Sequence, residues 1–236
     1  MEHSTLIHYE PVDVVVIGAG PAGCCAALRL LALGYDVAVV ERRAFPRPQI
    51  GESLSPGIWN ILEYIGATAT LETGYFLAGL PTRVIWEHRE SELIAAKERG
   101  SAVMVDRAQL DTRLLALVKA CGAYVIQPAQ VKCIRGEPHA WQLQIETSHQ
   151  QIQVNTRLIF DATGRIGQNT QHFPTAPITL ALWSHINNAD TPSETYIEAI
   201  TQGWLWGTPL PNGCYRVMAF FDPTIYKHQK KSLEKS

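Results

Sequence analysis

Three glycines at positions 18, 20 and 23, followed by an acid at position 41, are the residues of this chain best spaced to hold a nucleotide. In the stretch DVVVIGAGPAGCCAALRLLALGYDVAVVE they form G-x-G-x-x-G at the point where a strand would pass into a helix. Gly18 makes the tight turn, Gly20 lets a pyrophosphate approach the backbone, and Gly23 lets helix and strand pack closely. Pro21 and Ala22 occupy the first helical turn, where a proline loses no hydrogen bond and the free N–H groups face a phosphate. Glu41 then stands where it can accept a ribose 2′-hydroxyl, and its charge disfavours a 2′-phosphate. Arg42, Arg43 and Arg47 cluster beside the motif, where a pyrophosphate or an adenine edge is the expected partner.

The elements that must position these residues are readable from periodicity. Val12 to Ile17 is a β-branched run suited to a parallel strand buried on both faces, Gly34 closes the helix, and Asp36 to Val40 is the next strand. A second helix is expected over SPGIWNILEYIGA, with Ser55 as cap, Pro56 in the first turn and Ile58, Ile61, Leu62 and Ile65 on one face. A third starts at Asp106, which with Gln109 resembles a capping box, carries the stripe Leu110, Leu114 and Leu117, and stops at Gly122. Arg83 to Glu87 and Ala102 to Val105 read as strands. After Gly122 come short β runs at Tyr124–Ile126, Gln130–Ile134, Trp141–Glu146, Gln151–Val154 and Arg157–Phe160, the middle ones forming an antiparallel meander. Asp161-Ala162-Thr163-Gly164 follows directly. Ile178–Ile186, Glu194–Ala199, Trp204–Thr208 and Tyr215–Phe221 suggest a second sheet, and the lysine-rich end YKHQKKSLEKS reads as a disordered tail.

The 236 residues, 46% hydrophobic, suffice for one large domain or two packed lobes, and a net charge of −2 gives no sign of nucleic-acid binding. No apolar run is long enough for a membrane span and the first residues lack a signal-peptide pattern, so a cytoplasmic location is expected. Cys24, Cys25, Cys121, Cys133 and Cys214 form no C-x-x-C pair and read as small buried apolar residues rather than a redox dithiol. The eight histidines show no metal-ligand spacing, and no metal is expected.

Taken in order, the glycine fingerprint, the arginine-bearing helix, the meander and D-A-T-G resemble FAD-binding oxidoreductases of the glutathione-reductase type. More narrowly, the chain resembles flavin-dependent monooxygenases built like p-hydroxybenzoate hydroxylase, and among them the flavin-dependent halogenases. Gly51-Glu52-Ser53 looks like the G-E-S loop those proteins place near the flavin ring. Val105-Asp106-Arg107 with Asp111 looks like their R-x-x-x-D helix start, and Gly203 to Leu210 like W-x-W-x-I-P with Thr208 in place of isoleucine. The resemblance implies FAD as cofactor, contacts from Gly51, Glu52, Ser53, Arg107, Asp161 and Gly164, and Val131 packing near the adenine by its backbone. Read from the residues alone, a glycine at Gly51-Glu52-Ser53 permits close backbone approach to a ring, the alternative being a loop leading to a helix cap. Arg107 is a cation mismatched to the dipole in a helix's first turn, which favours a phosphate partner over a solvated residue, and Asp161 is equally an Asx-turn.

The implied fold class is α/β: an FAD/NAD(P)-binding Rossmann-like (ββα) domain with a β-meander, plus a partial antiparallel substrate-binding sheet. Residues 10–80 and 106–175 would make the FAD-binding part, 81–105 and 176–222 the substrate sheet, and 223–236 the tail. Halogenation in the family needs a lysine some two dozen residues beyond G-E-S, and here the first lysine is Lys97. Hydroxylation or dehydrogenation of an aromatic or tryptophan-bearing, small or peptide-borne substrate, by reduced flavin and O2, fits better. A separate flavin reductase is the expected electron donor. No catalytic side chain is required by that scheme; alternation puts His185 beside Trp183 on one face, which reads first as an ordinary sheet face and otherwise makes His185 the candidate proton handler. The G-D segment that completes the family's flavin site is not found in the sequence. A truncated or split flavoprotein, inactive alone and reliant on a partner for that segment, is therefore the second expectation, and an NAD-binding dehydrogenase the third.

Overall fold

A computed structural model describes residues 6–72, 74–86, 91–96, 102–166, 177–187 and 190–224. In chain order its main elements are β1 (Leu6–His8), β2 (Val12–Ile17), α1 (Pro21–Ala32), β3 (Val37–Val40), β4 (Ser53–Leu54), α2 (Ile58–Tyr64), β5 (Phe76–Ala78), β6 (Thr82–Ile85), β7 (Glu92–Ile94) and β8 (Val103–Val105). They continue as α3 (Arg107–Ala120), β9 (Tyr124–Ile126), β10 (Gln130–Glu137), β11 (Ala140–Glu146), β12 (Gln151–Asp161), β13 (Leu180–Ile186), β14 (Thr195–Ile200), β15 (Gly203–Pro209) and β16 (Tyr215–Phe221). The expected tail, from residue 225 onward, lies outside the described residues. The chain divides into two units: Met1–Ile50, Trp59–Thr70 and Arg107–Gln171 form one, and Gly51–Ile58, Leu71–Asp106 and His172–Ser236 the other.

The first unit is built on one seven-stranded sheet in the order β10-β11-β12-β2-β3-β9, with β1 added beside β12. β2 and β3 are almost wholly buried, as apolar runs between two covered faces must be. α1 packs on β2, β3, β12 and α3. Residues of β2, β3, β9, β10, β11 and β12 join in one apolar cluster that includes Val15, Val40, Leu143, Ile145 and Val154. The two runs expected at Gln151–Val154 and Arg157–Phe160 are a single strand of 11 residues. The reason is a change of partner: through Thr156 the strand is antiparallel to β11, and from Thr156 it runs parallel to β2. Thr156 sits at the join, its hydroxyl donating to the carbonyl of Asp13 at 3.0 Å.

α2 begins only at Ile58, later than its proline suggested, because Ser55 to Ile58 close a turn through the Ile58 N–H and the Ser55 carbonyl. Ile61, expected on its apolar face, is about half exposed (49%). The buried face of α3, which includes a carboxylate, holds Leu110 and Leu114 of the expected stripe with Asp111, Leu115 and Val118, while Leu117 is only half-buried.

The second unit holds a six-stranded sheet, β13-β16-β15-β14-β6-β7, antiparallel except between β14 and β6, and a three-stranded sheet, β4-β8-β5. β4, β5 and β7 escaped the sequence reading because two or three residues are too few to show a period. The register places Trp183 and His185 of β13, Arg216, Met218 and Phe220 of β16, and Trp204, Trp206 and Thr208 of β15 on one face of the larger sheet. Trp204 stacks on Phe220 with ring centres 3.9 Å apart.

Replacing Leu143, fully buried at the centre of the first unit's cluster, by alanine should lower unfolding free energy by about 2–5 kcal/mol in urea titration.

Candidate functional site

Where β2 meets α1, three backbone segments come closer than side chains allow. A Cβ on Gly18, whose φ is +102°, would lie 2.6 Å from the carbonyl oxygen of Ala162, and one on Gly23 would lie 1.9 Å from the oxygen of Gly18. The D-A-T-G segment is held against this turn by the Ala162 N–H donating to Ile17 at 2.9 Å. Gly20 differs. It caps α1 in an extended conformation, and a Cβ there would meet only Arg47 Nη2, 4.0 Å away. Among the described residues no side chain caps the helix at Gly20, so its first N–H groups face the space beside an arginine.

That space is a cavity of about 440 Å³. Gly18, Gly20, Pro21 and Ala22 line one side; Glu41, Arg42, Arg43, Arg47 and Arg107 supply its charges; Val131 and Gly164 also reach it. Gly23 lies behind, in the helix-to-strand packing. Glu41 is buried at the end of β3, its two carboxylate oxygens accepting from the Ala19 and Arg43 N–H groups at 2.9 Å each. Asp161 behaves differently from its neighbours Ala162, Thr163 and Gly164, which line this cavity. Its Oδ1 accepts from the Thr163 N–H at 3.0 Å, closing an Asx-turn, and it borders another pocket, with Trp141 and Leu158.

The carboxylate buried in α3 now has its explanation. Asp111, 1% exposed, takes a two-pronged contact from Arg107 (Nε to Oδ1 2.9 Å, Nη2 to Oδ2 3.1 Å) and lies 3.4 Å from Arg47 Nη2. Arg107 also donates to the Ile50 carbonyl at 2.8 Å. One acid therefore aims two arginines, both lining the cavity. Arg47 Nε is buried and finds no hydrogen-bond partner among the described residues. An orphaned guanidinium N–H, uncapped helix N–H groups and an open glycine fit a diphosphate, and the paired Glu41 oxygens fit a ribose hydroxyl.

The G-E-S residues lie in the second unit. Gly51, with φ +100°, donates its N–H to Glu52 Oε2 at 2.9 Å. Glu52 is buried against Arg216 of β16, whose guanidinium lies 4.4 Å from the centre of the Trp183 ring. Ser53 borders a cavity of about 120 Å³ with Thr82, Met104, Thr195 and Trp206. His185 meets Trp183 edge-on at 5.9 Å, and partial burial and then the charge of Arg216 push its pKa below the ordinary 6.5. Arg216 was not found from sequence. A lone arginine in a β run carries no spacing signal, and only the register sets it opposite His185.

Residues 13–54 match the FAD dependent oxidoreductase family. The chain is 30% identical over 232 residues to flavin-dependent halogenase armH3 of Armillaria mellea, covering 87% of this chain and 45% of that protein. It is 27% identical over 235 residues to tryptophan 2-halogenase of Chondromyces crocatus, covering 92% and 44%. A flavoprotein/dehydrogenase crystal structure from Cytophaga hutchinsonii superposes with a TM-score of 0.83 at 25% identity, over 93% of this chain and 57% of that one. By fold and sequence the chain is similar to FAD-dependent oxidoreductases of the flavin-dependent halogenase-like group. It spans about half the length of the curated relatives it matches. The cofactor of this halogenase-like chain is FAD, and the first unit's cavity has the groups to hold its diphosphate and adenosine ribose.

Cys24 lies in α1 near this cavity. Burial first, and then the nearby acid Asp111, push its thiol up to about 12, and it donates to the Ala19 carbonyl at 3.3 Å. It is a packing group. Among the described residues no helix is long and apolar enough to cross a membrane, and no three His, Cys, Asp or Glu side chains are grouped to hold a metal ion.

Asp111→Asn would leave two arginines without their counter-charge, and a loss of about 3–5 kcal/mol in denaturant unfolding is expected. A neutral maleimide should label the exposed Cys121 of the native protein at pH 7 and leave Cys24 unmodified until the protein is denatured, as read by peptide mass spectrometry.

Proposed function

We propose that this chain forms the FAD-binding unit and a substrate sheet of an oxidoreductase that uses reduced flavin and O2 to oxygenate an electron-rich aromatic substrate, free or peptide-borne. The observation that carries the reading is the cavity at the start of α1, where Gly20, the free helix N–H groups and the unpartnered Arg47 Nε converge. Bound there, FAD supplies the electrons and the oxygen activation. Gly18, Gly20, Pro21 and Ala22 would hold the diphosphate by backbone, with Arg42, Arg47 and Arg107 around it. Glu41 would take the ribose, and Val131 would border the adenine with its backbone. Gly23 would serve by letting α1 approach, and Gly164 by leaving the cavity wall open.

The first lysine of the sequence, Lys97, lies far beyond the position a halogenase uses to handle hypohalous acid, which favours hydroxylation over halogenation. In the second unit, Glu52 anchors Arg216, Gly51 and Ser53 shape the loop, and His185, the catalytic candidate, accepts the proton of a substrate hydroxyl or ring N–H. Asp161 sets the turn that brings Ala162 and Thr163 to the cavity. Reducing equivalents are assigned to a separate flavin reductase.

The purified chain mixed with FAD should carry a flavin band through gel filtration. Gly20→Val should fold within about 1 kcal/mol of the parent, since its φ of −69° suits any residue and its Cβ points into open space. It should nevertheless lose the band, because the new side chain fills the diphosphate position. A folded parent that takes up no FAD would refute the reading. With reduced flavin supplied, His185→Asn should lower kcat by about 10²-fold. The parent's rate should fall on acidification only below the ordinary histidine value of 6.5, because the working form is the neutral imidazole.

A further inference from the structure

An ion pair is buried beside the Trp183–His185 face of the second unit. Glu52 and Arg216 are 1% and 3% exposed, with Oε1 and Nη2 2.5 Å apart. The contact is poorly made for stability. Glu52 Oε1 and Arg216 Nε and Nη1 have no aligned hydrogen-bond partner among the described residues. Stripping two charges of water costs more than a misaligned contact returns, and an apolar pair of similar volume would serve the core as well or better. The placement shows what the pair does instead. Arg216 stands directly opposite His185 across the β13–β16 ladder. Its guanidinium covers one face of Trp183, which is otherwise 44% exposed, and the edge of that indole meets the imidazole.

We propose that Arg216 is the positioning residue of this face: anchored by Glu52, its guanidinium fixes the indole of Trp183 and presents a positive charge to His185, so that the imidazole is offered to substrate as a neutral proton acceptor. The inference rests on the reading of His185 as proton acceptor. Among the described residues three charged groups act on His185: Arg216 from β16, Glu52 from the loop before β4, and Asp106 just before α3. The two acids favour the protonated ring. Arg216 opposes them and outweighs each, and partial burial acts in the same sense. Removing Arg216 leaves burial alone against the two acids.

The test is the NMR titration of His185 in histidine-labelled, FAD-free protein, with His185→Asn identifying its resonance. The parent should titrate below 6.5, Arg216→Met should raise the midpoint by about half a unit or more, Glu52→Gln should lower it, and Arg216→Lys should restore it. If Arg216→Met fails to fold, the double variant E52Q/R216M leaves no unpaired charge and should still titrate above the parent. A midpoint unchanged in a variant with the parent's near-UV dichroism, or a parent titrating at or above 6.5, would overturn the proposal. FAD uptake, read separately from the visible band, decides the functional reading. A protein that takes up no FAD but shows the shifted titration would sink that reading and keep the role of Arg216.

Discussion

The closest backbone approach in the first unit governs the rest of it. At the end of β2 the carbonyl of Gly18 lies where a Cβ on Gly23 would be, and the carbonyl of Ala162 lies where a Cβ on Gly18 would be. A strand, a helix and the D-A-T-G segment can therefore share one point only because two residues lack side chains. Once they do, the N-terminus of α1 points into a cavity instead of into packed side chains. β12 contributes to the same point by changing partners in mid-strand: its first half belongs to the meander, and its second half delivers Ala162, Thr163 and Gly164 to the cavity wall.

Two buried acid–arginine pairs organise charge in the two units, and they differ in quality. Asp111 holds Arg107 through two aligned hydrogen bonds and draws in Arg47, so both cations are fixed at the wall of the cavity. Glu52 and Arg216 touch without that alignment. A well-formed pair orients its members, whereas a misaligned buried pair is a weak source of stability and is better understood through the neighbours it acts on, here Trp183 and His185.

Much of this was legible in the residue pattern. The glycine spacing, β2, α1 and Glu41 were read in place because a buried parallel strand and a glycine turn each leave a local signature over a few residues. The meander was legible by alternation, although its last two runs proved to be one strand. The second partner of β12 lies more than a hundred residues away, and no local break at Thr156 reports the change. Ser55 and Pro56 suggested a helix start that the chain takes only at Ile58, since a turn competes for the same residues. The G-E-S motif was readable as a motif, but not the burial of its glutamate, which depends on an arginine more than 160 residues further on.

The sequence by itself determined the elements whose cause is local: the nucleotide turn, the helix that follows it, the alternating strands and the acid at the end of β3, together with a family likeness that names FAD. Tertiary structure alone decided which charges meet. It put Asp111 between two arginines, turned Asp161 into an Asx-turn beside the cavity wall, and set Arg216 against Glu52 and opposite His185. The physical reason is range. Backbone preference and hydrophobic period act over a few residues, while the partner of a buried charge is chosen by strand register and helix packing, which only the folded chain defines.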